Sequence, residues 1–175
     1  MKEVFFLLLA ACIIPLGCST NPTGASNADS AYIVAQWHMD EISRDTVYDS
    51  SRYQNDGFAI GTTITDGKFG KARSFNGNGD YIYVPDPING SIDFGQDQSF
   101  TVDLWFRTTS DALQDIIRKG SAPIPGYFIQ TEGGKVNAGV GADVSSPPPD
   151  TILVIESNLQ YNDGKWHEVR FVRDC

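Results

Sequence analysis

The 175-residue sequence predicts an all-β protein, a sandwich or a barrel, on three observations. Short apolar runs rich in Ile, Val, Tyr, Phe and Trp recur along the chain at strand length. Pairs that favour tight turns separate them: Asp56-Gly57, Asp66-Gly67, Asn76-Gly77, Asn78-Gly79, Asn89-Gly90 and Asp163-Gly164. The clearest run, Ser99 to Thr108, alternates with a period of two. Phe100, Val102, Leu104 and Phe106 share one face, and Thr101, Asp103, Trp105 and Arg107 share the other.

Taken in chain order, the first element is an address. Lys2 precedes an apolar run, Val4 to Leu16, followed by small residues, the layout of a secretory leader. Its end, Leu16-Gly17-Cys18-Ser19, resembles a bacterial lipoprotein cleavage site, which implies lipidation of Cys18 and removal of residues 1–17. Leu9-Ala10-Ala11-Cys12 matches that motif in its letters but leaves a very short apolar region, and an ordinary cleaved leader is the remaining alternative. Each reading exports the chain. Residues 18–30 hold no large apolar side chain that would offset the entropy of ordering them, so they read as a flexible tether carrying the anchor.

The folded part then runs from Ala31 to Cys175 without a second linker. Strands are expected at Ala31 to Met39, Tyr81 to Val84, Ser99 to Thr108, Tyr127 to Thr131, Ile152 to Ile155 and Trp166 to Val172. The one helical hint, Leu113, Ile116 and Ile117, stops at Gly120, so a strand is expected over Asp115–Lys119 instead.

Several blocks, in order, resemble the laminin G-like domains of the concanavalin A-like lectin/glucanase superfamily. They are Val34-Ala35-Gln36-Trp37-His38-Met39-Asp40-Glu41, the loop Tyr48 to Gly57, and Gly67-Lys68-Phe69-Gly70-Lys71-Ala72. Ser74 to Tyr81, Ser99 to Phe106 and Gly164-Lys165-Trp166-His167-Glu168-Val169 complete the series. The resemblance implies an antiparallel jelly-roll β-sandwich, with Trp37 and Trp166 in its framework. It also implies further closing strands after the Trp166 block, so the domain 31–175 is expected to be incomplete at its C-terminus. Function is left open by it, because one fold hosts many sites.

Catalysis is not expected within these residues. The superfamily's glucanases carry a Glu-x-Asp-x-x-Glu strand that aims carboxylates into one groove, and no such run occurs here. Asp40 and Glu41 are adjacent and alternate in direction, Glu156 stands alone, and no Gly-x-Ser-x-Gly elbow is present. His38 and His167 sit beside Trp in expected strands and read as structural.

Two binding chemistries are compatible with the residues. Calcium needs hard oxygen ligands on a loop. Asp49, Asn55 and Asp56 fall within one Gly-terminated loop, and Asp80 follows another; the competing reading is that these side chains brace turns. A sugar needs an aromatic platform, for which Tyr81, Tyr83, Trp105 and Tyr127 are the candidates; the competing reading is core packing. The net charge of −9 argues against a nucleic-acid partner, since phosphate binding requires a basic face. Lys2 and Glu3 leave together with the leader, so that charge survives export. The expectation is an exported, envelope-anchored, non-catalytic module that recognises a glycan or another cell-surface ligand. The alternatives are an accessory domain of a larger glycoside-active enzyme and a protein-binding adhesion domain. Oligomeric state is not legible.

Overall fold

The computed structural model describes residues 4–7, 16–17, 33–42, 45–94, 98–120, 126–141 and 153–174. The tether 18–30 with Cys18, and also Cys12 and Cys175, lie outside them. Thirteen strands make up the regular structure, and no helix occurs among the described residues. In chain order they are β1 (Val4–Leu7), β2 (Leu16–Gly17), β3 (Thr46–Val47), β4 (Gly57–Ile60), β5 (Thr63–Asp66), β6 (Lys71–Phe75) and β7 (Tyr81–Tyr83). Then follow β8 (Gln98–Thr108), β9 (Gln114–Lys119), β10 (Gly126–Glu132), β11 (Lys135–Gly141), β12 (Leu153–Glu156) and β13 (His167–Arg173).

All pairings are antiparallel. The largest sheet runs β13-β8-β1-β6-β5, with β2 against the start of β8. A second sheet, β12-β11-β10-β9, is a meander of neighbours in sequence, and a third is β3-β4-β7. Two strands in the first sheet thus come from the apolar leader, β1 and β2.

The core forms where β8 faces the meander. Its alternation is as expected: Phe100, Val102, Leu104 and Phe106 are buried, while Thr101, Asp103, Trp105 and Arg107 are half-buried on the other side. Phe100 lies 5.2 Å, ring to ring, from Tyr127 of β10 and 4.6 Å from Phe94, so aromatic packing joins the two layers. Ile129, Val136 and Ala138 from the meander and Phe171 from β13 complete this layer. The third sheet adds Val47, Ala59 and Ile82 to the same apolar cluster. The result is an all-β, sandwich-like arrangement.

Most expected strands occur within a residue or two of their predicted ends, including the strand over Asp115–Lys119 where a helix was the rival. Ala31 to Met39 does not form one: only Trp37 bridges, to Asp49. Met39 has φ 61°, a left-handed conformation that ends any extended run, and its buried side chain is held by the core. Of the turn pairs, Gly77, Gly79, Gly90 and Gly164 have positive φ. Gly57 and Gly67 do not, and Gly57 instead opens β4, where a Cβ would touch Ile82 at 3.0 Å.

Candidate functional site: an exposed aromatic sheet face

The third sheet has two unlike faces. Along β4 the sequence Gly57-Phe58-Ala59-Ile60 alternates small and large, and the small residues point inward. Small residues there let the strand approach the core, and the pleat then turns the large ones outward. On β7, Ile82 packs inward and Tyr81 and Tyr83 point out. The register sets Phe58 opposite Tyr83 and Ile60 opposite Tyr81. Directly opposed side chains on one face have Cβ atoms about 5 Å apart, so these four form one continuous patch. They are about half exposed, at 49%, 46%, 53% and 54% for Phe58, Ile60, Tyr81 and Tyr83. Tyr48, just past β3, is also exposed. Apolar groups that a folding chain would ordinarily bury are thus held in water by strand geometry.

Tyr81 and Tyr83 are therefore brought together as candidates, with Phe58 and Ile60 as the members that sequence reasoning missed. The small-large alternation of β4 directly after Asn55-Asp56 was the available signal. Trp105 is elsewhere, on the outer face of β8, where Phe69 meets it edge-on at 5.9 Å and the Lys68 ammonium sits 5.2 Å from its ring. Tyr127 is a core residue and not a ligand platform: it is 5% exposed and its hydroxyl reaches the Ile92 carbonyl. Burial pushes its phenol well above the usual range, which fits a group that stays neutral.

The four oxygen candidates for calcium do not share a site. Asp49 is buried, and its carboxylate is fully engaged. Oδ1 accepts the backbone N–H groups of Gln36 and Ser51, and Oδ2 accepts the Asn55 N–H and the Ser51 hydroxyl, all at 2.8 Å. Asp56 accepts the Asp49 N–H at 2.8 Å. Asn55 donates to the Val34 carbonyl and to Ser91, while its own carbonyl takes the Trp37 indole N–H at 2.8 Å. These bonds tie the loop to the segment around Trp37 and to the turn near Ser91. Asp80 packs against Gly61, past the other end of β4, and accepts the Asn76 N–H. About 13 Å of strand separates it from the Asp49 loop. Among the described residues no group of three or more His, Cys, Asp or Glu is placed to hold a metal ion.

No family model, characterised protein or solved structure matches this chain.

The remaining chemistry-bearing groups are spent in pairs. Glu156 pairs with Lys135 across β12 and β11, and Asp103 with Arg170 across β8 and β13. His167 sits 2.8 Å from Asp163 and edge-on to Tyr161. That hydrogen bond, followed by the Lys165 N–H, holds the Asp163 carboxyl down at about 2. His38 is exposed. Arg73 on β6 is fully buried, donates to the Thr46 carbonyl at 3.1 Å and faces Glu41 at 3.9 Å; burial lowers its pKa against the pull of that carboxylate.

A cleft of about 240 Å³ opens between the edges of β12 and β13, lined by Phe106, Val136, Ala138, Ile155, Tyr161 and His167 among others. It falls short of the ~300 Å³ at which small-molecule sites begin. Being the gap between two sheet edges, it ranks below the aromatic face as a site.

Proposed function

We propose that this chain is an exported, non-catalytic recognition module that binds carbohydrate on the outer face of β3-β4-β7. The supporting observation is the patch of Phe58, Ile60, Tyr81 and Tyr83, half exposed and in cross-strand register. The C–H face of a sugar ring is apolar and stacks on aromatic side chains, while phenol hydroxyls at the rim exchange hydrogen bonds with sugar hydroxyls. Tyr81, Tyr83 and Tyr48 supply both properties. A flat, open face suits an internal stretch of a polymer better than a buried monosaccharide. The net charge of −9 favours a neutral glycan over a polyanionic one.

The wider setting belongs to the same proposal. The sheets are those of a jelly roll of the laminin G-like, concanavalin A-like kind, and Cys18 anchors the module through a lipid to a bacterial envelope. The test is a glycan array probed with the full chain, repeated with Tyr81→Ala. Binding to a neutral glycan that fails in the variant supports the reading. No glycan bound, with a protein partner retained through the same residues, replaces it with an adhesion function.

A further inference from the structure

The first sheet contains a one-strand gap. β6 and β8 do not pair with each other; β1 lies between them and is antiparallel to both. Its register sets Val4 opposite Phe75 and Thr108, Phe5 opposite Ser74 and Arg107, and Phe6 opposite Arg73 and Phe106. This gap is interior to the sheet and not at its rim. β8 carries the centre of the core, and Ala72 and Arg73 of β6 are fully buried. Two rows of backbone N–H and C=O groups therefore face a space one strand wide, and leaving them unpaired is costly. The strand that satisfies them belongs to the apolar run Val4 to Leu16, the part of the chain that a secretory leader loses. Its two neighbours remain after that loss.

We infer that the gap between β6 and β8 is a strand-docking site. Val4–Leu7 fills it in the unprocessed chain. In the exported form it takes an extended, uncharged apolar segment of the same chemistry, supplied from outside residues 18–175. Recognition is by β-augmentation on both sides: main-chain hydrogen bonds to β6 and β8 give affinity, and the alternation of buried and half-buried neighbours selects the register. The occupant carries no charge at its centre, as Val4-Phe5-Phe6-Leu7 carries none. The exchange rests on residues 1–17 being a removed leader, while the docking geometry does not.

Two experiments on the full chain test it, with Cys12, Cys18 and Cys175 replaced by Ser. In the first, Phe5→Cys is combined with Ser74→Cys. Opposed residues in an antiparallel pair have Cα atoms about 4.5–5.5 Å apart, within disulfide reach. Mild oxidation is expected to close an intramolecular disulfide in most molecules, and Phe5→Cys with Thr65→Cys, one strand further away, is expected to close none. Failure of the first pair overturns the docking geometry. In the second, Phe5→Pro with Phe6→Pro empties the gap, and a fluorescent, lysine-flanked peptide spanning residues 3–9 is titrated in. One peptide per chain is expected to bind, at least tenfold more tightly than to the unsubstituted chain, whose gap is filled. If the proline variant is unfolded, the same peptide is expected to restore a cooperative melt. No uptake by a folded variant, no rescue of an unfolded one, or a dimer that ignores the peptide each overturns the proposal. An exported chain whose mass still includes Met1 overturns the exchange and leaves the disulfide result standing.

Discussion

The loop from Asp49 to Asp56 and the outer face of β4 and β7 are sequence neighbours with opposite fates. In the loop, polar side chains that resemble ligands are consumed by the fold: the Asp49 carboxylate accepts four hydrogen bonds, three of them from backbone amides. On the sheet face, apolar side chains that resemble core are left in water. A functional group is available to a partner only if the fold does not already use it. By that measure the acidic loop is scaffold and the aromatic face is site.

The largest effect tests the scaffold half. Asp49→Ala leaves the amides of Gln36, Ser51 and Asn55 without their acceptor, and is expected to cost about 3–5 kcal/mol in urea denaturation. A loss below about 1 kcal/mol would mean that the loop is held by something else, and the comparison breaks. Tyr127→Ala is expected to cost a similar ~3–5 kcal/mol, as a large aromatic removed from a packed core.

The site half predicts a separation of stability from binding. Tyr81→Ala and Tyr83→Ala are each expected to leave stability within about 0.5 kcal/mol. Each should weaken glycan binding by about tenfold, which is roughly 1.4 kcal/mol. Isothermal titration beside a thermal melt reads both quantities. Trp105→Ala is expected to leave glycan affinity unchanged, because Trp105 lies on another sheet; a loss equal to that of Tyr81→Ala would relocate the site.

The smallest effect sharpens what burial contributes. Asp163, like Asp49, accepts a nearby backbone N–H, but it does so in solvent. Its carboxyl is held at about 2, below the ordinary 3.8, by His167 first and the Lys165 N–H next. The stability it contributes is therefore complete above pH 3.8 and is lost as the pH falls through about 2. The difference between the parent chain and Asp163→Asn is expected to shrink across that window in acid denaturation. A difference that stays constant with pH would show that the bond makes no contribution.

Much of the strand pattern was legible because burial on one face of a sheet imposes a period of two. Ser99 to Thr108 displays it over its full length, and the strand matches almost to the residue. The helical hint near Ile116 resolved correctly because two turns of apolar spacing cannot outweigh a strand partner on β10. β4, β5 and β11 were harder: Gly57 and Ala59, or Ala138 and Gly139, are small where they are buried, so the apolar signal is weak where the packing is closest. Ala31 to Met39 misled in the other direction, being apolar and buried without being a strand.

The site was half legible. Tyr81 and Tyr83 share a face by alternation alone, which any strand assignment reveals. Tyr127 alternates just as well, and only the layer above it decides that it is covered.

By itself the sequence determined an all-β, turn-rich, acidic chain with an apolar leader, because composition and periodicity act locally. Tertiary structure decided which groups were spent and which were left over. It filled the Asp49 carboxylate with amides from distant segments, laid Phe100 on Tyr127, and set Phe58 against Tyr83 in the open. The physical reason is that exposure and hydrogen-bond satisfaction belong to pairs of segments far apart in the chain, and no local window contains both partners.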